Sequence, residues 1–412
     1  MKLLFVVQRY GTEVAGGAEL HCRQFATRLA QRGHAVHALT SCAISYVDWA
    51  NAYPPGDSDL DGVVVHRLPV LRPRDTRTFG GLDRRTVWSG GVRAMVLQRA
   101  WMTAQGPFLP GLAPWLEAHA ASFDGVVFFT YLYYTTWAGL PVAARRAATV
   151  LHATAHREPQ LGLPLFDLML RLPTAYAYST EEEARLIADR TGSKRPGRVI
   201  GIGADTDADG VGDRFRRHAG LGDRPYLLFV GRVVAEKGSL ELYDYFVAYK
   251  QRRPGPLTLV VMGDPLTDLP RHADVVATGF VADSVKNDAL EGALALVQPS
   301  YFESFSMVLA EAWAQSTAAL VQGRCDVLAG QVGRSGGGIP YEGYAEFEAA
   351  VDLLLAEPSV APELGARGRS YVEEHYAWDV VLRRYERLLG EAAGCRAAAD
   401  LGPVGEGDAS AD

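Results

Sequence analysis

The sequence predicts an α/β protein built from two parallel-sheet domains, and three observations predict it. The chain has 412 residues, more than a single hydrophobic core usually supports, so two domains of ordinary size are expected. Near the N-terminus an apolar run, Leu3–Val7, is followed by a glycine-containing loop from Gly11 to Gly17. An amphipathic segment Ala18–Arg32 closed by Gly33 and a second apolar run, Val36–Thr40, complete the pattern. This is a βαβ unit, whose crossover requires parallel strands. From Tyr226 onward the same alternation returns, with apolar runs Tyr226–Val230, Thr258–Met262, Val275–Thr278 and Leu294–Val297 and helical patterns at Glu241–Arg252 and Ser284–Ala293. Such runs fit a second parallel sheet.

Composition narrows the function classes. Hydrophobic residues make up 48% and charged residues 22% of the chain, an ordinary globular balance. The formal net charge of −7 argues against a non-specific nucleic-acid binder, which would be basic. Cys22, Cys42, Cys325 and Cys395 lie far apart and form no Cys-x-x-Cys, so neither zinc spacing nor a disulfide framework is indicated. Together with Met1–Val7, too short in its apolar core for a signal peptide, this points to a cytoplasmic protein. No apolar run approaches a membrane span.

Within the first half, further strands are expected at Val63–Arg67, Val126–Thr130, Thr149–His152 and Ala175–Ser179. Gly16-Gly17 opens the first helix without the Gly-x-Gly-x-x-Gly spacing of a dinucleotide site. Residues 72–91 are rich in Arg and Gly and read as irregular, and Val92–Met102 as a helix. Arg84, Arg85, Arg93 and Arg99 with Trp88 and Trp101 allow a membrane-surface reading. The preferred reading is a helix with its aromatics packed inward, and a third is that these arginines line an acceptor site. Thr180-Glu-Glu-Glu183 has the form of a capping box. His152 and His156 flank the carboxyl end of a strand, where residues face a ligand crevice. The chain is expected to cross into its second domain at Gly201, giving domains of 1–200 and 201–375. A helix over 376–391 and a disordered tail over 392–412, low in periodicity, should follow.

The organising stretch is Gln298-Pro-Ser-Tyr-Phe-Glu303-Ser304-Phe305-Ser306-Met307-Val-Leu-Ala-Glu311. It follows a buried strand and enters a helix that Ser304 or Ser306 could cap. A helix N-terminus favours an anion, while Glu303 and Glu311 can accept hydrogen bonds from sugar hydroxyls. Eight positions of helix span on the order of 12 Å. Hydroxyl acceptor, anion seat and hydroxyl acceptor match the hexose, diphosphate and ribose of a nucleotide sugar. Upstream, Gly231-Arg232 and Lys237-Gly238 follow a strand. Arg can bind phosphate with two parallel bonds, and Lys adds a point charge. Two metal-like patterns carry less. Asp57-Ser-Asp59 lies in a polar loop, and Asp205-Thr-Asp-Ala-Asp209-Gly210 has Arg216 where a calcium loop needs Glu.

Taken together these motifs resemble the retaining glycosyltransferases of family four, along nearly the whole chain and most firmly in its second half. The resemblance implies a GT-B fold, two Rossmann-like domains facing across a cleft, and a metal-independent enzyme with a nucleotide-diphosphate sugar as co-substrate. By position Glu303 would hold the donor hexose, Glu311 the ribose, and Arg232 and Lys237 the diphosphate, with Ser304, Phe305, Ser306 and Met307 around it. Gly16 and Gly17 would lie beside the donor phosphates and the acceptor. His156, favoured over His152 by the following Glu158-Pro159, would stand near the reacting centre, although Arg157 replaces the usual Asp. The implied acceptor is a hydroxyl-bearing glycan or natural product. The alternatives are a nucleotide-sugar-binding regulator and a peripheral membrane transferase with a lipid acceptor.

Overall fold

The computed structural model describes residues 1–14, 16–87, 92–192, 195–207, 210–263, 267 and 271–400. They form two compact units. The first contains residues 1–179, 183–200 and the described residues from 382 onward, and the second contains 180–182 and 201–381.

In the first unit, strands β1 (Lys2–Val6), β2 (Ala35–Ser41), β3 (Gly56–Leu60), β4 (Val63–Leu68), β5 (Gly125–Phe129), β6 (Thr149–His152), β7 (Ala175–Tyr178) and β8 (Gly197–Val199) form one sheet. Its order is β3-β4-β2-β1-β5-β6-β7-β8. Every pairing is parallel except β3 with β4. Helices α1 (Gly17–Gln31), α2 (Thr76–Val87), α3 (Val92–Gln105), α4 (Leu112–His119), α5 (Tyr134–Ala143) and α6 (Glu181–Thr191) accompany it. The central strand β1 is apolar and fully buried from Leu3 to Val6, as strands covered on both faces are.

Three features depart from the sequence reading. Asp57-Ser-Asp59 lies on strand β3 rather than in a loop. Asp61 (φ 55°) and Gly62 (φ 80°) both adopt positive φ between β3 and β4, the two-residue hairpin that Asp-Gly favours. Residues 76–87 are helical rather than irregular. Their intrinsic propensity is lowered by Gly80-Gly81, but Trp101 Nε1 of α3 donates to Asp83 Oδ1 at 2.7 Å and Phe79 packs on the core. Tertiary contacts override the local preference. Trp101 is buried, which supports the inward-packing reading of this region. Trp88 and the side chain of Arg93 lie outside the described residues.

The second unit repeats the design with β9 (Tyr226–Val230), β10 (Thr258–Met262), β11 (Val275–Gly279), β12 (Ala295–Gln298), β13 (Ala319–Gln322) and β14 (Gly338–Tyr341). All pairings are parallel, in the order β11-β10-β9-β12-β13-β14. Its helices are α7 (Gly212–His218), α8 (Ser239–Arg252), α9 (Asp283–Glu291), α10 (Met307–Ala314), α11 (Asp326–Ser335), α12 (Tyr344–Ala356) and α13 (Val360–His375). Trp313 of α10 is fully buried and donates to Gly337 O at 2.9 Å. A Cβ at Gly368 of α13 would lie 2.1 Å from the Trp313 ring, so only glycine lets α13 close on α10.

The last helix, α14 (Trp378–Asp400), runs to residue 400, which corrects the expected disorder from 392. Alanine is the best helix former, and here it is anchored as well. Ala392 is buried, and the Arg396 guanidinium donates to Ala144 O and Arg145 O at 3.1 Å. Residues 401–412 lie outside the described residues. The change of unit falls at 382 rather than 376. Tyr376 packs on Gly201 and against Phe305, and Trp378 on Gly203, all within the second unit.

Candidate active site

In the second unit the site grows from two neighbouring strands. β9 and β12 pair directly, so the loops leaving their carboxyl ends lie side by side, where open α/β sheets bind ligands. The loop after β9 carries Gly231 and the exposed Arg232, then a 3₁₀ turn, Ala235–Lys237, and Gly238 at the N-cap of α8. Gly238 is left-handed (φ 70°), and a Cβ there would lie 2.3 Å from Pro299 O. Glycine is therefore required twice over, by its torsion and by the approach of the loop after β12. The closeness of the two loops brings Lys237 Nζ to 2.6 Å from Glu303 Oε1. Two residues far apart in sequence thus form one cation–carboxylate pair, with side chains 31% and 11% exposed.

The loop then enters α10. Ser306 holds the N-cap position, yet its hydroxyl makes no cap bond, contrary to the expected serine cap. Ser306 is left-handed (φ 71°), and its Oγ accepts from Gln298 Nε2 at 2.9 Å. That torsion is costly for a non-glycine residue and is found where surroundings impose it, often at functional sites. Phe305 is buried, with its carbonyl accepting from Gln331 Nε2, while Ser304 and Met307 are half-buried. The opening turn of α10 presents N–H groups that helix geometry leaves without intrahelical partners. Inside the helix, Glu311 Oε1 receives Lys286 Nζ of α9 at 2.9 Å. Burial alone would lower the Lys286 ammonium, but Glu311 and the adjacent Asp283 hold it above its ordinary value. Lys286 and the Gly238–Pro299 contact were not found from sequence, because their partners lie on other elements; the bond of Gln298 to Ser306 lies within the quoted stretch and was not foreseen.

The other expected residues belong to the first unit. Gly16 precedes α1, and a Cβ there would meet Glu19 Oε2 at 2.3 Å and Arg9 Nη2 at 2.9 Å. It closes over a buried Arg9–Glu19 pair, in which Arg9 Nε donates to Glu19 Oε1 at 2.8 Å. A Cβ at Gly17 would meet nothing within 4 Å among the described residues.

His152 is buried and bonds Tyr385 OH through Nε2 at 3.0 Å, a core histidine. His156 is the accessible one, its side chain 30% exposed. With Arg157 exposed at the next position, the acid near the imidazole is Glu158, 3.8 Å from Nε2. Tyr131 OH donates to the same Glu158 oxygen at 2.6 Å. The loop is held by Glu183, whose oxygens accept from Ala155 N at 2.7 Å and Ser179 N at 2.6 Å. Glu183 thus reaches back to the backbone N–H of Ser179, ahead of α6. Burial pushes the Glu183 carboxyl up to about 7, partly offset by the backbone N–H groups it accepts from.

Asp57 pairs with His66 at 2.7 Å, and Asp209 lies outside the described residues. Among the described residues no group of three or more His, Cys, Asp or Glu side chains could hold a metal ion, and no helix is long and apolar enough to cross a membrane.

Residues 224–357 match the family model described as Glycosyl transferases group 1, a span that contains Arg232, Lys237, Lys286, Glu303 and Glu311. The D-inositol 3-phosphate glycosyltransferase of Gordonia bronchialis is 26% identical over 92% of this chain and 85% of its own length. The glycogen synthase of Mycobacterium tuberculosis is 27% identical over 92% of both. The chain is a glycosyltransferase of GT-B fold. Among solved structures, the sucrose-phosphate synthase of Thermosynechococcus elongatus matches this glycosyltransferase with a TM-score of 0.68 at 18% identity, covering 95% of this chain and 99% of the other. Anabaena HepE, solved with UDP and glucose, matches with a TM-score of 0.67 at 15% identity, over 95% of this chain and 100% of its own.

Proposed function

We propose that this glycosyltransferase moves a sugar from a nucleotide-diphosphate donor to a hydroxyl acceptor, with retention at the anomeric carbon and without a metal ion. The observation that carries the proposal is the Lys237–Glu303 pair at 2.6 Å, which joins the loop entering α8 to the loop entering α10. A donor entering there exchanges one ionic partner for another. Its diphosphate takes Lys237 and the opening turn of α10, and its hexose hydroxyls take Glu303. Arg232, exposed on the same loop as Lys237, adds a second cation.

In the reaction, the bond between the anomeric carbon and the phosphate oxygen breaks, and its electron pair stays on the diphosphate. The acceptor oxygen bonds the same face of that carbon, and its proton passes to the departing phosphate oxygen. Arg232, Lys237 and the amides around Ser306 and Met307 then receive the charge that builds on the leaving group, the task cations and helix termini perform best. Glu303 orients the hexose, and Glu311 the ribose. His156, backed by Glu158, supports the acceptor face, with Gly16 and Gly17 beside it. The acceptor is a hydroxyl-bearing glycan or small molecule.

UDP-glucose, which Anabaena HepE holds in its solved complex, is the first donor to test. Lys237→Ala should lower transfer by orders of magnitude in buffer containing a chelator, and the product of the native enzyme should keep the donor's anomeric configuration by NMR. Unchanged turnover in the variant would sink the role of Lys237, and an inverted product would sink the retaining mechanism.

A further inference from the structure

We propose that Lys286 is a positioning residue for the ribose of the donor: it clamps one oxygen of Glu311 and leaves the other presented to the sugar hydroxyls. This rests on the donor reading above. Lys286 Nζ lies 2.9 Å from Glu311 Oε1 and 3.1 Å from Asp283 Oδ1. The two acids are unequal partners. Asp283 is 91% exposed, whereas Lys286 and Glu311 are 17% and 25% exposed. An exposed ion pair is screened and weak, so Glu311 is the partner that fixes the ammonium.

The clamp answers two needs of a ribose site. A carboxylate on a helix has rotamer freedom, and each hydrogen bond to a hydroxyl must overcome the entropy of ordering it. Lys286, projecting from α9 against α10, orders it in advance. The donor also brings negative charge to a unit that already places Glu303 and Glu311 at the site. Lys237 compensates the first acid, and Lys286 compensates the second. An ammonium carries three donors. Glu311 and Asp283 account for two of them, and the third is available to a ribose hydroxyl. Lys286 therefore sets a preference for ribonucleotide over deoxyribonucleotide donors, since a site built to bond a hydroxyl rejects the analogue that lacks it.

The test is the affinity, by titration calorimetry, of UDP and GDP and of their 2′-deoxy counterparts for the full-length chain. For whichever base binds, the native protein should favour the ribonucleotide by about ten- to a hundredfold, as expected for a hydrogen bond to a charged group. Lys286→Met should weaken the ribonucleotide by a similar factor and bring the ratio to within about twofold. Asp283→Ala should leave both affinities unchanged, and Lys286→Arg should keep the preference. Should Lys286→Met fail to fold, Lys286→Gln carries the same expectation. A purely structural role for Lys286 would lower both affinities together and preserve the ratio, and that result overturns the proposal. A native protein that binds both forms equally would overturn the ribose assignment of Glu311 itself.

Discussion

His21 gives the sharpest physical test of the first unit. It lies in α1, fully buried, with its ring centroid 4.8 Å from Phe25, 5.3 Å from Phe129 and 4.9 Å from His152. Neither ring nitrogen has a hydrogen-bond partner among the described residues. Burial lowers its pKa from 6.5 to about 3. The folded state thus refuses a proton that the unfolded chain accepts below pH 6.5. The associated stability is complete above that value and is lost as pH falls toward 3. Each pH unit within this window removes about 1.4 kcal/mol. At pH 5 the loss amounts to about 2 kcal/mol.

Other groups titrate over the same range and must be cancelled. His152, also buried, is held low and acts in the same direction. Glu183 acts oppositely, because a carboxyl raised to about 7 binds its proton more readily in the folded state. The informative quantity is therefore the difference between the native protein and His21→Phe at two pH values. At pH 7.5 the substitution should be close to neutral, because it removes buried nitrogens that lack partners. At pH 5 the variant should be more stable than the native protein by about 2 kcal/mol relative to that baseline. With two units in the chain, one global unfolding energy is poorly defined. Hydrogen exchange of peptides from β1 and α1 reports the unit that holds His21. Equal pH dependence in the two proteins would refute the claim that the imidazole is buried and neutral.

Three further substitutions test separate parts of the structure. Glu183→Gln sets an amide among backbone donors, so at pH 8 it should destabilise the first unit by about 1–3 kcal/mol. The native carboxyl loses stability as pH rises from 4.5 toward 7; the variant should lose that dependence, and a preserved slope in urea unfolding would contradict the assignment. Gly238→Ala forces a Cβ against Pro299 O at a positive φ, at a cost of about 1–3 kcal/mol. It should weaken donor binding by calorimetry, and native affinity would show that the two loops do not approach as described. Ala392→Asp buries an unpaired charge in the last helix and should lower the melting temperature of the first unit by several degrees; an unchanged melt would mean that residues beyond 391 do not pack.

What the sequence disclosed follows from which forces are local. Strands such as Leu3–Val6 and Leu259–Met262 are apolar throughout because both faces are covered, and that pattern is visible in one dimension. Strand β14 was hidden by Pro340, which argues against a central strand. It is tolerated because β14 lies at the sheet edge, a position that only topology assigns. Strand β13, Ala319–Gln322, repeats the Ala-Leu-Val-Gln of β12 and was as readable as that strand, but was overlooked. The Asp61-Gly62 hairpin was readable and was overlooked, because the acids of β3 resembled a solvated loop.

The site divides along the same line. Glu303, Glu311 and Lys237 could be selected because their chemistry and spacing are properties of short segments. How they are held could not, since the supports arrive from elsewhere: Lys286 from another helix, and Pro299 against Gly238. Ser306 shows the consequence most clearly. Composition nominates it as an ordinary cap, which would satisfy one of the N–H groups at the start of α10. Its left-handed torsion and its bond to Gln298 turn the hydroxyl to another task. No serine cap then competes with an incoming anion for those amides. A site that binds phosphate through a helix terminus has reason to forgo its cap, so the failure of the local rule falls where the proposed function would put it.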